Sequence, residues 1–466
     1  MPPGTAKLAP FDLSTNARWR NPSRPVIASL FALIVGMMFT LSGGSLWQLG
    51  LNYEGISGAM ASKIHPATYL AFVTFGLLAL ARRNPASFFV ALVTRHPGAL
   101  IFAAATVLLG CYIVLDHRRG IATVFDTYLL AAMLSIIAAD LDERAIGRVE
   151  KMLHLLLAAN ALMALAEYLL GYQFFPYRFE EIVYEWDKRS TALLGHPLED
   201  ALITGTYVVM LVGGGGPGMP KLLRLPAILL QLAAMVPFGG RTALLLALAM
   251  IALSLAPSLL RVLRGGRMSL PAVAAVMAMA PILALAVGLF ATSGFFDVVL
   301  DRFANDGGSA QTRLTMFELF DQLPLRDIII GADSDLVDSI RRTHGLQWGI
   351  ENPVVRLVLY QGAVFTAFLV VGFVFFLTEV GRRLRRGAAM AFIFFLIVIN
   401  SYESISNKSI TLGRFVVLVL VMFDRRTGAF REPSARRTFA DRQHQPANLH
   451  RLGGLSLPAP VGPNPL

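Results

Sequence analysis

Long apolar runs recur along this 466-residue chain, and they limit the folds it can adopt more than any other feature. A run of about 18 or more apolar residues is long enough to cross the roughly 30 Å hydrocarbon core of a bilayer. Inside that core every backbone N–H and C=O must be paired within the protein, so only helices and closed barrels can span it. Only 15% of the residues are charged, against about 25% in a soluble domain. The sequence predicts an all-α polytopic membrane protein.

The apolar runs predict twelve transmembrane spans, with one large extracytoplasmic loop between spans 9 and 10. The spans are placed at about 26–43, 64–81, 98–115, 121–139, 152–171, 191–212, 222–239, 242–260, 270–292, 354–378, 388–402 and 411–423. No small-x-small cleavage site follows the first run, so we expect an uncleaved first span.

The chain then divides into five segments. They are a cytoplasmic N-terminal segment (1–25), a membrane domain of spans 1–9 (26–292), the extracytoplasmic loop (293–353), a membrane domain of spans 10–12 (354–423) and a cytoplasmic tail (424–466). The tail is rich in Pro, Arg and Gln and is predicted to be disordered.

The basic residues indicate the orientation of these spans, because cytoplasmic loops are enriched in Lys and Arg. The short outer loops hold Lys63, Arg118, Arg119 and Lys408. The inner loops hold many more: Arg82, Arg83, Arg144, Arg148, Lys151, Lys221, Arg224, Arg261, Arg264, Arg267, Arg382, Arg383, Arg385 and Arg386. We therefore expect a multi-pass protein of the bacterial inner membrane with both termini in the cytoplasm. The net charge of +11 serves orientation and does not indicate a nucleic-acid partner.

Residues 293–353 form the only long polar interval between apolar runs. Within it, apolar residues at helical spacing predict a short amphipathic helix over 312–322. Asp333 or Ser334 is placed to cap a second helix over 335–343. The single cysteine of the chain allows no intrachain disulfide, so packing and hydrogen bonds must hold this loop. We expect the loop to close over a membrane-embedded active site.

Four arginines break the positive-inside pattern, because they lie at the predicted outer face. They are Arg189, Arg241, Arg302 and Arg313. A guanidinium group binds phosphate oxygens with two parallel hydrogen bonds and stays charged at any relevant pH. Several arginines at one face predict a site for a lipid-linked phosphate or pyrophosphate. The alternative is that each one pairs with a nearby carboxylate or a lipid headgroup.

His344 and Glu351, near the end of the loop, are candidate general bases, because their pKa values can be tuned close to the working pH. The alternatives are a histidine hydrogen-bonded at a helix C-terminus and a glutamate in a structural ion pair. Glu199, Asp200 and Arg414 lie inside predicted spans near the outer surface, so they can line the same cavity as the loop. No metal-ligand cluster, P-loop or G-x-S-x-G element is present in the sequence, and we expect neither a metal nor a cofactor.

With these features in place, the chain resembles the superfamily of bacterial O-antigen ligases and O-antigen polymerases, including the polymerases of exopolysaccharide export. The resemblance covers residues 185–365 by motif and the whole chain by span number and loop position. Its motifs are Arg189-Ser-Thr-Ala-Leu-Leu-Gly-His-Pro197, Gly239-Gly-Arg-Thr-Ala-Leu-Leu-Leu246, Arg313-Leu-Thr-Met-Phe followed by Pro324 and Gly331, and Glu351-Asn-Pro-Val-Val-Arg-Leu-Val-Leu-Tyr-Gln-Gly362.

The resemblance implies a metal-independent glycosyltransferase in exopolysaccharide or O-antigen biosynthesis. It would use a glycan carried on undecaprenyl pyrophosphate at the outer face of the inner membrane, with arginines holding the leaving group. Ligases of the family have His directly before the Asn of the last motif, where this chain has Glu351. That departure favours a polymerase over a ligase and leaves the base open between Glu351 and His344. The expected partners are the lipid-linked glycan, membrane lipids, and a chain-length regulator or flippase of the same pathway.

Two other classes compete with this interpretation. A transporter or flippase for a lipid-linked glycan would also need buried arginines, but typically shows paired broken helices and no single dominant loop. A non-catalytic subunit of an export complex would need no converging arginines. The repeat unit, the acceptor and the oligomeric state do not follow from the sequence.

Overall fold

The structure is a computed structural model that describes residues 23–426, apart from 56–57, 82–83, 117, 119, 180–181, 184–186, 267–272, 274–276, 278–287, 289–308, 347–348 and 402–404. Almost all of the predicted ninth span (270–292) therefore lies outside the described residues. So do the first part of the predicted loop, Arg302 and most of the predicted tail.

The described chain is helical, as the apolar runs predicted, and carries a small antiparallel hairpin of Arg178–Phe179 with Ile182–Val183. The helices before the large loop are α1 (Ser23–Thr40), α2 (Gly43–Gln48), α3 (Pro66–Leu80), α4 (Pro85–Arg95), α5 (Pro97–Leu115), α6 (Ile121–Asp140), α7 (Glu143–Leu170), α8 (Pro197–Val212), α9 (Lys221–Phe238) and α10 (Arg241–Leu263). A 3₁₀ turn covers Met60–Lys63.

The large loop and the segment after it contain the remaining helices. They are α11 (Ser309–Glu318), α12 (Leu325–Ile330), α13 (Ser334–Thr343), α14 (Pro353–Arg382), α15 (Ala388–Ile399) and α16 (Thr411–Met422). Both predicted loop helices are confirmed. The first is α11 with a 3₁₀ turn over Leu319–Gln322, and the second is α13, whose N-cap is Asp333.

Six helices among the described residues are long and apolar enough to cross a membrane, namely α5, α6, α7, α9, α10 and α14. Shorter apolar helices accompany them, including α1, α3, α15 and α16. Helix α8 carries Glu199 and Asp200 in its first turn. These helices show a membrane-embedded α-helical protein, whereas the number of twelve crossings stays a prediction.

Successive long helices run in alternating directions, so the bundle has two distinct ends. At the loop end, the turn after α1 contributes Ser42 to a cavity that loop residues Asp338 and Arg341 also line. At the basic end, Arg383 donates to the Ser135 carbonyl and Arg426 donates to the Leu141 carbonyl. Both ends of the described chain lie at the basic end, since residues near Arg24 line a crevice together with Asp142 and Arg148.

Helix α16 is the centre of the bundle, and each of its twelve residues is buried. A helix that is apolar on all sides lies either in a protein core or in contact with lipid, and the burial of every residue places α16 in the core. Helices α6, α7 and α8 pack against it. Its one charged residue, Arg414, is 1% exposed and donates from Nε to the Met38 carbonyl at 2.7 Å.

The predicted sixth span (191–212) begins too early, because α8 starts only at Pro197. Proline lacks an N–H and is favoured in the first helical turn. His196 caps the helix by accepting the Leu198 N–H at its Nδ1. The join predicted at Gly239-Gly240 is confirmed, since α9 ends there with Gly239 at a φ of +70°.

Helix α14 is broken at Gly362, where φ is +85° and ψ is 155°. The loop backbone docks at this break, because the Ala332 N–H donates to the Leu359 carbonyl at 3.2 Å. A Cβ added to Gly362 would overlap the backbone of Ile330 and Gly331. The glycine therefore supplies both the positive φ and the space that the loop needs.

Gly362→Ala should destabilise the protein. A positive φ with ψ near 155° is a conformation that essentially only glycine adopts, and it costs about 1–3 kcal/mol for a residue with a Cβ; the overlap with the loop turn adds to this cost. Thermal unfolding in detergent micelles measures the effect. The control is Gly381→Ala on the same helix, where an added Cβ meets nothing within 4 Å. An unchanged unfolding temperature for Gly362→Ala would show that the loop does not dock as described.

Candidate functional site

Arg189 lies in the connection between α7 and α8, where Asp187 holds its guanidinium. The Nε atom is 2.8 Å from Oδ1 and 2.9 Å from Oδ2 of that carboxylate. Burial lowers the pKa of Arg189, but the Asp187 carboxylate outweighs it, and Tyr177 and Glu351 add to the net rise. The electrostatic effect of Glu351 shows that two residues predicted for the site lie near each other.

Arg241 is the first residue of α10, at the loop end of the bundle. The Ser190 N–H donates to the Pro237 carbonyl at 3.0 Å. That bond joins the residue after Arg189 to the last turn of α9, just before the Gly239-Gly240 join. Arg189 and Arg241 thus lie on adjoining segments.

The other predicted residues are more dispersed. His344 is the C-cap of α13, and its Nδ1 lies 2.8 Å from the Ile340 carbonyl, which is the helix C-terminus arrangement considered above. Arg313 belongs to α11, and its side chain lies outside the described part of the structure. Arg302 is also outside it. The structure does not bring His344 next to Arg189 or Arg241 by any described contact.

A cavity of about 660 Å³ lies at the loop end, between the membrane helices and the loop. Its walls come from the turn after α1, the 53–65 segment, α5, α6, residues 177–178 at the start of the hairpin, α8, α13, α14, the 406–410 segment and α16. Glu199 and Arg414 line it together with loop residues, as predicted. Asp200, which was predicted with them, is not among the described lining residues; it is fully buried and accepts a hydrogen bond from Asn160 Nδ2 at 2.9 Å. Arg189, Arg241, His344 and Glu351 are not among the described residues that line it.

Positive side chains dominate this cavity. Its described lining holds three carboxylates, Glu54, Glu199 and Asp338. It holds seven lysines and arginines, namely Lys63, Arg118, Arg178, Arg341, Arg356, Lys408 and Arg414. Three of these arginines have close carboxylate partners: Arg414 Nη1 lies 3.2 Å from Glu199, Arg341 Nη2 lies 3.4 Å from Asp338, and Arg118 Nε lies 2.6 Å from Asp116. Lysines and arginines still outnumber carboxylates in the described lining.

Backbone carbonyls hold several of these cations in place. Arg356 Nη1 donates to the Ser406 carbonyl at 2.6 Å and Lys63 Nζ to the Asn52 carbonyl at 3.0 Å. Lys408 donates to the Tyr53 carbonyl. A carbonyl is neutral, so such a bond fixes the position of a cation without cancelling its charge. The positive field is therefore pre-organised for an anion.

Aromatic rings also contact two cations of the cavity lining, Arg178 and Lys408. The Arg178 guanidinium carbon lies 4.2 Å from the ring centre of Trp47, and the Lys408 Nζ lies 3.8 Å from that of Tyr53. Cation–π contacts of this kind contribute about 0.5–2 kcal/mol each and do not use up the N–H donors that face an anion.

Arg118 connects the membrane helices to the loop. Its guanidinium donates to the carbonyls of Ala332 at 2.6 Å, Gly331 at 2.8 Å and Tyr360 at 2.9 Å. The Tyr360 carbonyl is accessible to Arg118 because α14 is broken two residues later. Tyr112 adds a hydrogen bond from its hydroxyl to the Ile330 carbonyl. The loop thus forms a wall of the cavity, held by the bundle.

Glu54 and Lys408 have shifted pKa values, and both lie in connections outside the predicted spans. Burial raises the pKa of Glu54 to about 7, and Lys408, Glu199 and Arg178 act on it electrostatically. Burial lowers the pKa of Lys408 to about 8, with Glu54 and Asp126 opposing that change. Both groups can therefore change protonation near neutral pH.

One wall of the cavity is apolar, which suits a ligand with a lipid part. Leu109 and Ile113 of α5, Ile121 and Val124 of α6, and Leu357 of α14 form it. The cavity can therefore hold an anion against its cations and an isoprenoid or acyl chain against this wall. No group of three or more His, Cys, Asp or Glu in the described residues is arranged to hold a metal ion.

The sequence contained a signal for the cavity that our prediction did not use. Lys63, Arg118 and Lys408 were recognised as positive charges in otherwise poor outer loops, which is the same exception that singled out Arg241. Arg356 lies inside the motif Glu351–Gly362, whereas Arg178 lies 11 positions before the motif that begins at Arg189, and Glu54 lies in a short connection without any motif. Their convergence depends on contacts between distant segments.

Arg118→Ala should release the loop from the bundle, because three carbonyls lose their donor at once. We expect faster tryptic cleavage after Arg326 and Arg342, which are exposed on the loop. Limited proteolysis of the purified protein measures the rate. The control is Arg261→Ala, an exposed arginine of α10 at the basic end. Equal cleavage rates in wild type and Arg118→Ala would contradict the role given to Arg118.

Comparison with models of known protein families, with curated proteins and with solved structures finds no match to this chain. The function must therefore be inferred from the cavity and from the sequence motifs.

Proposed function

We propose that this protein is a metal-independent membrane glycosyltransferase that polymerises or transfers a glycan carried on undecaprenyl pyrophosphate. The observation that carries the proposal is the cavity at the loop end, where seven cationic side chains oppose three carboxylates next to an apolar wall. In a polyprenyl pyrophosphate, the pyrophosphate fits the cationic side chains and the polyprenyl chain fits the apolar wall. The four sequence motifs support the same class of reaction.

The cations have a chemical role in such a transfer. Negative charge builds on the pyrophosphate as the bond to the first sugar carbon breaks. Fixed guanidinium groups stabilise that charge more in the transition state than in the ground state, which raises the rate of the chemical step. The cavity needs no nucleotide site, because the donor already carries its activating phosphate.

The expected location follows from the same proposal. The loop end would face the outer side of the bacterial inner membrane, where lipid-linked glycans are assembled into polymers. The basic end, with Arg383 and Arg426, would face the cytoplasm, in agreement with the positive-inside rule. Both termini would then be cytoplasmic. A chain-length regulator or flippase of the same pathway would be a natural neighbour.

Arg356→Met should lower glycan transfer by about 100-fold or more, which is typical when one pre-organised contact to a developing charge is lost. Arg356→Lys should restore only part of the activity, because the ammonium group of lysine cannot form the bidentate hydrogen bonds of a guanidinium group. Release of undecaprenyl pyrophosphate from donor lipid by protein in nanodiscs measures the rate. The control is Arg342→Met, an exposed loop arginine outside the cavity lining. Wild-type activity in Arg356→Met would show that the cavity takes no part in the reaction.

Arg241 provides a separate test, because it belongs to a motif of the resemblance and does not line the cavity. We expect Arg241→Ala and Arg241→Lys to insert normally yet yield almost no polymer in cells, with donor lipid accumulating. The length profile of lipid-linked glycans measures this. Accumulated single repeats indicate a polymerase, whereas long chains left on the carrier indicate a ligase. A wild-type polymer yield in Arg241→Ala would show that this arginine only binds lipid headgroups.

A further inference from the structure

Three carboxylates line the cavity among the described residues, and two of them, Glu199 and Asp338, form ion pairs with described arginines. Glu54 is the third. It lies in the connection between α2 and the 3₁₀ turn at Met60–Lys63, and it faces the cavity. Three charged groups from three other segments act on it electrostatically: Lys408, Glu199 and Arg178.

We propose that Glu54 is the acid–base residue of the transfer, and that it takes the proton of the acceptor hydroxyl. This proposal rests on the proposed function of the cavity. It differs from the prediction from sequence, which chose between Glu351 and His344. Neither of those residues is among the described residues that line the cavity, whereas Glu54 is.

The position of Glu54 is fixed through its neighbour Tyr53. The Tyr53 hydroxyl donates to Asp126 Oδ2 at 2.9 Å, and Asp126 also accepts from Thr68 Oγ1 at 2.7 Å. On the other side, Lys408 contacts both the carbonyl and the ring of Tyr53. A chain of contacts from α6 to the 406–410 segment therefore holds the backbone that carries Glu54.

Gly43 provides the space for the carboxylate itself. A Cβ at that position would overlap the Glu54 carboxyl group. The carboxylate thus packs directly on the backbone at the start of α2. This close approach gives a way to displace the carboxylate without removing it.

The proton balance of the step is simple. The acceptor hydroxyl oxygen forms a bond to the first carbon of the donor sugar, while the bond from that carbon to the phosphate oxygen breaks. The hydroxyl proton passes to a Glu54 carboxylate oxygen. The electron pair of the broken bond leaves with the pyrophosphate, whose added charge faces Arg178, Arg356 and Lys408. Glu54 then returns its proton to solvent.

The direction of the pH dependence follows from the two shifted groups. A base acts in its ionised form, and the pKa of Glu54 is about 7, so turnover should fall as the pH drops below 7. Lys408 has a pKa of about 8, and losing its charge above that pH should raise the KM for an anionic donor. We therefore expect kcat to fall at acidic pH and the KM for the donor to rise at alkaline pH.

The test uses full-length protein in nanodiscs and, as donor, the lipid-linked glycan that accumulates in cells lacking the protein. Release of undecaprenyl pyrophosphate gives kcat and KM between pH 5.5 and 8.5. We expect Glu54→Gln to lower kcat about 100-fold, in the range of general acid–base contributions, with KM for the donor within twofold of wild type. In Glu54→Gln the fall of kcat at acidic pH should disappear. Glu54→Asp should restore part of the turnover and also the fall of kcat at acidic pH.

Two controls separate catalysis from folding. Gly43→Ala keeps the carboxylate but displaces it, and should also lower kcat with little change in KM. Glu318→Gln removes an exposed loop carboxylate outside the cavity lining and should behave as wild type. Size-exclusion chromatography checks that each variant is folded.

Three results would overturn the proposal. One is a wild-type kcat in Glu54→Gln with the same fall at acidic pH. Another is loss of the fall of kcat at acidic pH in Glu351→Gln or His344→Gln while Glu54→Gln retains it. The third is a wild-type protein that releases no undecaprenyl pyrophosphate from the donor, in which case the proposed function fails and the role of Glu54 fails with it.

Discussion

The architecture of the cavity depends on one arginine and one break in a helix. Arg118 donates to carbonyls of the loop turn and of α14, and the α14 carbonyl is accessible because Gly362 interrupts the helix. A buried carbonyl without a hydrogen-bond donor costs free energy, so these bonds favour the docked position of the loop. The loop is therefore a fixed part of the site, and the cavity has a wall that α5, α6 and α14 alone would not supply.

The charge balance of the cavity distinguishes it from an ordinary buried polar network. Buried cations are usually compensated by carboxylates, because an unpaired charge in a medium of low polarity is costly. Here Arg414 and Arg341 have such partners, and Lys63, Arg356 and Lys408 each donate to a backbone carbonyl that fixes their position. Lysines and arginines outnumber carboxylates by seven to three in the described lining, so an anionic ligand would improve the charge balance on binding.

The proposed reaction uses two sides of this cavity differently. The cations on the hairpin, α14 and the 406–410 segment would hold the leaving pyrophosphate, while Glu54 lies among them with a pKa near neutrality. A carboxylate next to so many cations would normally have a depressed pKa, but burial has the larger effect here. Burial and nearby charge together leave Glu54 able to exchange a proton at neutral pH, which a fully paired glutamate could not do.

The sequence alone determined the class of protein and the position of most helices, because these depend on local properties. Apolar run length indicates the spans, Gly239 marks a helix end, and Asp333 caps a loop helix as predicted, whereas the helix start at Pro197 was predicted six residues too early. The residues that form the cavity were decided by the tertiary structure. Arg118 contacts residues more than 200 positions away in the sequence, and Lys408 contacts Tyr53, which is 355 positions earlier. No periodicity or short motif encodes such pairs, because they arise only when helices pack around α16 and the loop docks at Gly362.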